Sequence, residues 1–157
     1  EAHVMINGPI PEVLLFEEAL LKLNDLSVLP KLKTINNKVW IHEHCHQKSL
    51  AKTENIKKAL SLIPNIEFEF YGTGCCGMAG DFGYKHPELS VKIAHQTFDI
   101  FVDGIGENDI VVNTGFSCRK QVLDVFSINS IHLSQVFAKS LHAEERSIVQ
   151  VGSNLGV

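Results

Sequence analysis

Apolar residues along this chain follow two alternating rhythms, short β-branched and aromatic runs and longer stretches in which they return every third or fourth position. The first rhythm predicts strands over Lys38 to His44, Ile66 to Tyr71 and Asp109 to Asn113, with a shorter strand around Ile128 to His132. The second predicts helices. Pro11 suits the first position of a segment running to Leu23. Thr53 caps a helix with Ile56, Ala59, Leu60 and Ile63 on one face and Pro64 as its stop. Pro87 opens a helix in which Leu89, Ile93, Thr97 and Phe101 recur every fourth residue. Cys118 opens another that carries Val122, Leu123 and Phe126, and a last one covers Ser134 to Leu141. Asp25 to Asn37 reads as a connector, and Ala143 to Val157 has no pattern.

Strands alternating with helices of this length predict an α/β three-layer domain: a small parallel sheet of three to four strands with helices on both faces. Residues 1–37 then form an N-terminal helix and connector, 38–142 the domain proper and 143–157 a tail. A chain of 157 residues, 45% hydrophobic and 20% charged, can close one sizeable core and is not disordered. No apolar run reaches the roughly 18 residues of a membrane span, and no secretory signal pattern opens the chain. The expected location is cytoplasmic, or peripheral to a membrane through a complex. The net charge of −4 arises in the first 30 residues, where Glu1, Glu12, Glu17, Glu18 and Asp25 face only Lys22, so nothing points to nucleic acid. A start at Glu1 without methionine leads us to expect a piece of a longer polypeptide with a partner domain elsewhere.

The chemistry is concentrated in four cysteines. Cys45 lies in HEHCHQKSL, Cys75 and Cys76 in YGTGCCGMAGDFGY, and Cys118 in NTGFSCRKQV. Disulfide staples are the ordinary reason for cysteines, but a domain with a full apolar complement does not need them. Adjacent Cys75 and Cys76 could join only through a strained small ring. Each cysteine segment follows a different predicted strand, and ligands bind at the carboxyl edge of an open parallel sheet. The gaps, 29 residues from His46 to Gly74 and 41 from Gly77 to Ser117, each hold a helical crossover and the next strand. The three segments are therefore expected to meet as three loops around one metal or redox site, with a metal-free dithiol as the remaining thiol chemistry. Gly72, Gly74 and Gly77 allow the Cys75-Cys76 turn to approach a ligand closely. A helix start at Cys118 should stabilise its thiolate and lower its pKa.

In order and separation, HEHCHQKSL, GCCGMAGDFGY and NTGFSCRKQV resemble the cysteine-rich CCG domain at the C-terminal end of FAD-linked D-2-hydroxy-acid oxidoreductases, over roughly Val39 to Leu133. More distantly they are similar to the iron-sulfur component of glycolate oxidase and to the CCG-bearing component of heterodisulfide reductase. The resemblance implies an electron-transfer domain for the oxidation of a 2-hydroxy acid of the lactate, glycolate or 2-hydroxyglutarate type. It implies a four-iron cluster or zinc in this domain, and FAD and ferredoxin-type domains as partners on the same polypeptide or complex. A zinc-bound structural or docking module is the alternative within that resemblance. No GxGxxG lies between a strand and a helix, so flavin is expected on a missing domain and this one is not expected to act alone. The reductase version ends in CxxC, whereas here Gly115 stands three before Cys118. A fifth thiolate is thus replaced by glycine.

Cys45, Cys75, Cys76 and Cys118 are accordingly the expected metal ligands, with His44 and His46 as further candidates and Gly74, Gly77 and Lys48 around the cofactor. Lys48 and Arg119 could offset thiolate charge. Asp81 and Tyr84 are turn residues with a secondary chance of facing the site. His3, His86, His95, His132 and His142 read as surface or capping residues.

Overall fold

The computed structural model describes residues 12–50, 53–72 and 74–141, the Leu50 side chain excepted. Its centre is a parallel sheet of three strands, β1 (Val39–His42), β2 (Phe68–Phe70) and β3 (Ile110–Asn113), in the order β2-β1-β3. In register, Ile41 lies between Phe70 and Val112, and His42 faces Asn113. All four β1 residues are buried, as a central strand covered on both faces requires.

Seven helices surround this sheet among the described residues: α1 (Phe16–Asp25), α2 (Cys45–Leu50), α3 (Thr53–Leu60), α4 (Phe82–Lys85), α5 (Pro87–Val102), α6 (Phe116–Phe126) and α7 (Leu133–Ser140). Alternation along the strands divides the core in two. Val39, Ile41 and Val112 pack with Leu20 of α1, Ile56 and Leu60 of α3, and Val136 of α7. Trp40 and Val111 point the other way and pack with Ala94 and Phe98 of α5 and Val122 of α6. Ile41 is fully buried, so Ile41→Ala would remove about 2–5 kcal/mol of stability.

Several elements differ from the sequence expectation. The first helix begins at Phe16, where the Glu18 carboxylate accepts the free N–H of Leu15 at 2.9 Å; Pro11 lies outside the described residues. The Ile128 to His132 segment makes only an isolated bridge, Ile131 to Val112. The inward face of α5 carries Ser90, Ala94, Phe98 and Phe101, leaving Leu89 half exposed. Ser90 is turned inward by its partners: Gln121 Nε2 donates to its hydroxyl at 3.0 Å, and that hydroxyl lies 3.9 Å from the Met78 sulfur. Helices α2 and α4 have no counterpart in the sequence expectation, because neither has room for an amphipathic period.

Candidate functional site

Each cysteine segment leaves the carboxyl edge of the sheet. Shortly beyond β1, Cys45 begins α2; Cys75 and Cys76 follow β2; Cys118 lies in the first turn of α6, which starts shortly after β3. Two hydrogen bonds hold these junctions in place. The His44 N–H donates to Thr114 Oγ1 at 2.9 Å, joining the β1 and β3 loops, and Thr97 Oγ1 donates to the Cys75 carbonyl at 2.8 Å, joining the β2 loop to α5. Gly77 occupies the left-handed region, φ +93°, and a β-carbon there would lie 2.4 Å from the Ser90 carbonyl oxygen. Only glycine lets the Cys-Cys turn sit this close to α5. A β-carbon on Gly74 would likewise meet Thr97 Oγ1 at 2.6 Å.

All four thiols are free, Cys45 exposed, Cys75 half-buried, and Cys76 and Cys118 buried. They lie close enough to act on one another: Cys45 on Cys75, and Cys76 on both Cys75 and Cys118. The Cys118 contact brings the Cys76 thiol down to about 6, helped by the N–H of Met78. Conversely, contact with Cys76 and then burial push the Cys118 thiol up. The helix start was expected to favour a Cys118 thiolate; in contact with Cys76 the two thiols titrate as a pair, because two sulfurs in contact cannot both ionise cheaply. Burial raises Cys75, and the Gly77 N–H, 3.4 Å from its sulfur, opposes that.

The donor set suits a soft metal or an iron-sulfur group: four sulfurs from three loops, one inclined to ionise, with a backbone N–H directed at another. Among the described residues no three His, Cys, Asp or Glu side chains are disposed around one ion as they stand.

Of the candidate imidazoles, His44 packs against the site: the β-carbon that Gly115 lacks would lie 2.6 Å from its Cδ2 and 3.1 Å from the Cys118 sulfur. Burial and then the neighbouring His46 lower its pKa, favouring the neutral, ligating form. His46 is more exposed, its ring centroid 6.3 Å from that of His44. Lys48 lies on α2, and its charge contributes to lowering the His42 pKa. Arg119 is committed to backbone, donating from Nη1 to the Asn113 carbonyl at 2.9 Å. Asp81 pairs with Lys85 on the surface and Tyr84 is exposed, so the GDFGY loop supplies turn residues. His132 caps α7, its Nδ1 accepting from the Ser134 N–H; His95 pairs with Asp99 on the surface, His86 is exposed, and His3 and His142 lie outside the described residues.

Sequence reading missed a buried polar layer beneath the thiols. His42 is fully buried, and its Nδ1 donates to the Gly72 carbonyl at 3.1 Å, leaving Nε2 as a bare acceptor without a partner. Burial lowers its pKa to about 4. The Tyr71 hydroxyl donates to Asn113 Oδ1 at 2.8 Å, and Asn113 Nδ2 has no acceptor. Glu43 accepts from Thr53 Oγ1 at 2.6 Å while its Oε1 stays unpaired. The available signal was their position at the carboxyl ends of the strands.

A family model described as the CCG cysteine-rich domain matches residues 39–122. One component of the anaerobic glycerol-3-phosphate dehydrogenase of Escherichia coli strain K12, and its counterpart in Escherichia coli O157:H7, are each 29% identical to this chain over 123 residues, covering 76% of it and 30% of the relative. The chain therefore spans under a third of the length of these curated relatives. No solved structure matches it. No helix among the described residues is long and apolar enough to cross a membrane.

Proposed function

This chain belongs to the family of cysteine-rich CCG domains, and on that premise we propose that it is the electron-transfer module of an oxidoreductase assembly. The observation that carries this reading is the meeting of four free thiols from three strand-end loops at the carboxyl edge of the sheet. Cys45, Cys75, Cys76 and Cys118 would hold an iron-sulfur group of the four-iron type, with His44 in preference to His46 as the nitrogen ligand. Such a group accepts and releases one electron at a time without proton bookkeeping. The chain's own part is to bury Cys76 and Cys118 away from water, to leave Cys45 at the surface where a partner can approach, and to direct the Gly77 N–H toward sulfur. Gly74 and Gly77 set the turn, and Lys48 adds positive charge on the same edge.

Alcohol oxidation would take place elsewhere, on an FAD-bearing partner domain, with ferredoxin-type clusters relaying electrons to this one. The substrate would be an alcohol close to an acidic group, the feature that 2-hydroxy acids share with the compound in the relatives' name. The domain would work in the cytoplasm or against a membrane through its complex, and would not turn over substrate alone.

Anaerobic reconstitution with ferrous iron and sulfide tests the reading. Matched iron and acid-labile sulfide, with visible absorption that bleaches on dithionite addition, is the expected result. Uptake of zinc without sulfide would instead indicate a docking module, since zinc cannot change oxidation state. A metal-free protein cycling between two thiols and a disulfide would indicate dithiol chemistry.

A further inference from the structure

Asn113 and Tyr71 form a buried pair whose one unused donor has no acceptor in the protein. Asn113 is fully buried at the end of β3, and its Oδ1 accepts from the Tyr71 hydroxyl. Its Nδ2 is unpaired. His42, opposite it in register, is also unpaired at Nε2, so the amide is not spent on that imidazole. An orphan donor in a core is costly, and the site it serves is the natural place to look for its acceptor. Sulfur lies in the same layer: Tyr71 and Cys118 share one core cluster. Phenol, amide and thiol therefore lie on the same inner face of the sheet.

We propose that Asn113 is a positioning residue of the thiolate centre, its side-chain N–H donating to the Cys118 sulfur once that sulfur is ligated, with Tyr71 fixing the amide in the orientation that presents N–H rather than oxygen. The inference rests on the electron-transfer reading above. A neutral thiol is a weak acceptor, whereas a metal-bound thiolate is a strong one and would satisfy Nδ2. Hydrogen bonds to ligand sulfur stabilise the more negative, reduced state, so this one would raise the reduction potential.

The test compares the parent protein, Asn113→Leu, Tyr71→Phe and the double variant, each reconstituted anaerobically with ferrous iron and sulfide and titrated for midpoint potential. Leucine is close to asparagine in shape, and phenylalanine keeps the ring stacked on Phe101, 3.5 Å between centroids. The expected result is a downward shift in both single variants at unchanged iron content, with the double variant no lower than Asn113→Leu, because Tyr71 acts through Asn113. An unchanged potential in Asn113→Leu with full iron content overturns the proposal. If the parent takes up no iron and sulfide, the electron-transfer reading fails separately. The hydrogen bond is then read in the cobalt(II)-loaded proteins, where a sulfur-to-cobalt band that moves between parent and Asn113→Leu supports it and an identical band overturns it.

Discussion

Gly115 and His44 compete for one space: a β-carbon on Gly115 would lie 2.6 Å from Cδ2 and 2.9 Å from Cγ of His44. The backbone there has φ −87°, which any residue adopts, so the glycine is required by this close approach and not by conformation. The imidazole thus fills the direction in which a fifth thiol would project.

That relationship sets what Gly115→Cys should do. Alone, the substitution must displace the His44 ring, and the melting temperature of the metal-free protein should fall. Combined with His44→Ala it should recover, because the space is vacated. After anaerobic reconstitution the double variant should bind more iron than Gly115→Cys alone. Equal melting temperatures for the two variants would mean that the ring turns aside without cost.

Replacing the cysteines one at a time by serine should separate site from scaffold. Each replacement should sharply reduce bound iron, measured against sulfide. In the metal-free protein Cys45→Ser, at an exposed position, should change stability by no more than about 0.5 kcal/mol. Cys76→Ser and Cys118→Ser bury a hydroxyl and should cost about 1–3 kcal/mol in urea unfolding. Full iron retention in two of the four would show the thiols to be independent.

Gly77→Ala should cost about 2–4 kcal/mol, combining a left-handed backbone with overlap on the Ser90 carbonyl, which is main chain and cannot swing away. Thermal unfolding measures the loss. Because the overlap pushes the Cys75-Cys76 turn off α5, iron uptake should fall with it.

Away from the site, Asp109 accepts from Trp40 Nε1 at 2.7 Å and from the Gly106 N–H at 2.8 Å. The indole donor is the main reason its carboxyl lies below the usual 3.8. Asp109→Ala should cost about 1–2 kcal/mol at pH 6, reduced by the exposure of the carboxylate. A depressed folded pKa gives stability that is present above 3.8 and lost as pH falls through the folded value. The difference in unfolding free energy between parent and Asp109→Ala should therefore narrow as pH drops from 6 toward 3. A constant difference would assign the loss to packing.

The amino-acid order alone determined the α/β alternation and the convergence of the cysteine segments. Hydrophobic period is a local property, and strand-end loops of a parallel sheet share one edge whatever the helices between them do. Thr53 to Leu60 and Pro87 to Val102 were legible because each is long enough for its apolar face to repeat. The inward turn of Ser90, the loss of a fourth strand at Ile131, and the short helix opened by Cys45 were decided by contacts with residues far along the chain. So were the contact of Cys76 with Cys118, the packing of His44 against Gly115, and the Tyr71–Asn113 bond across 42 positions. Spacing can bring loops to one edge, but burial and sub-4 Å neighbours exist only once the sheet is closed, and these decide how the thiols share a charge and which donor is left without an acceptor.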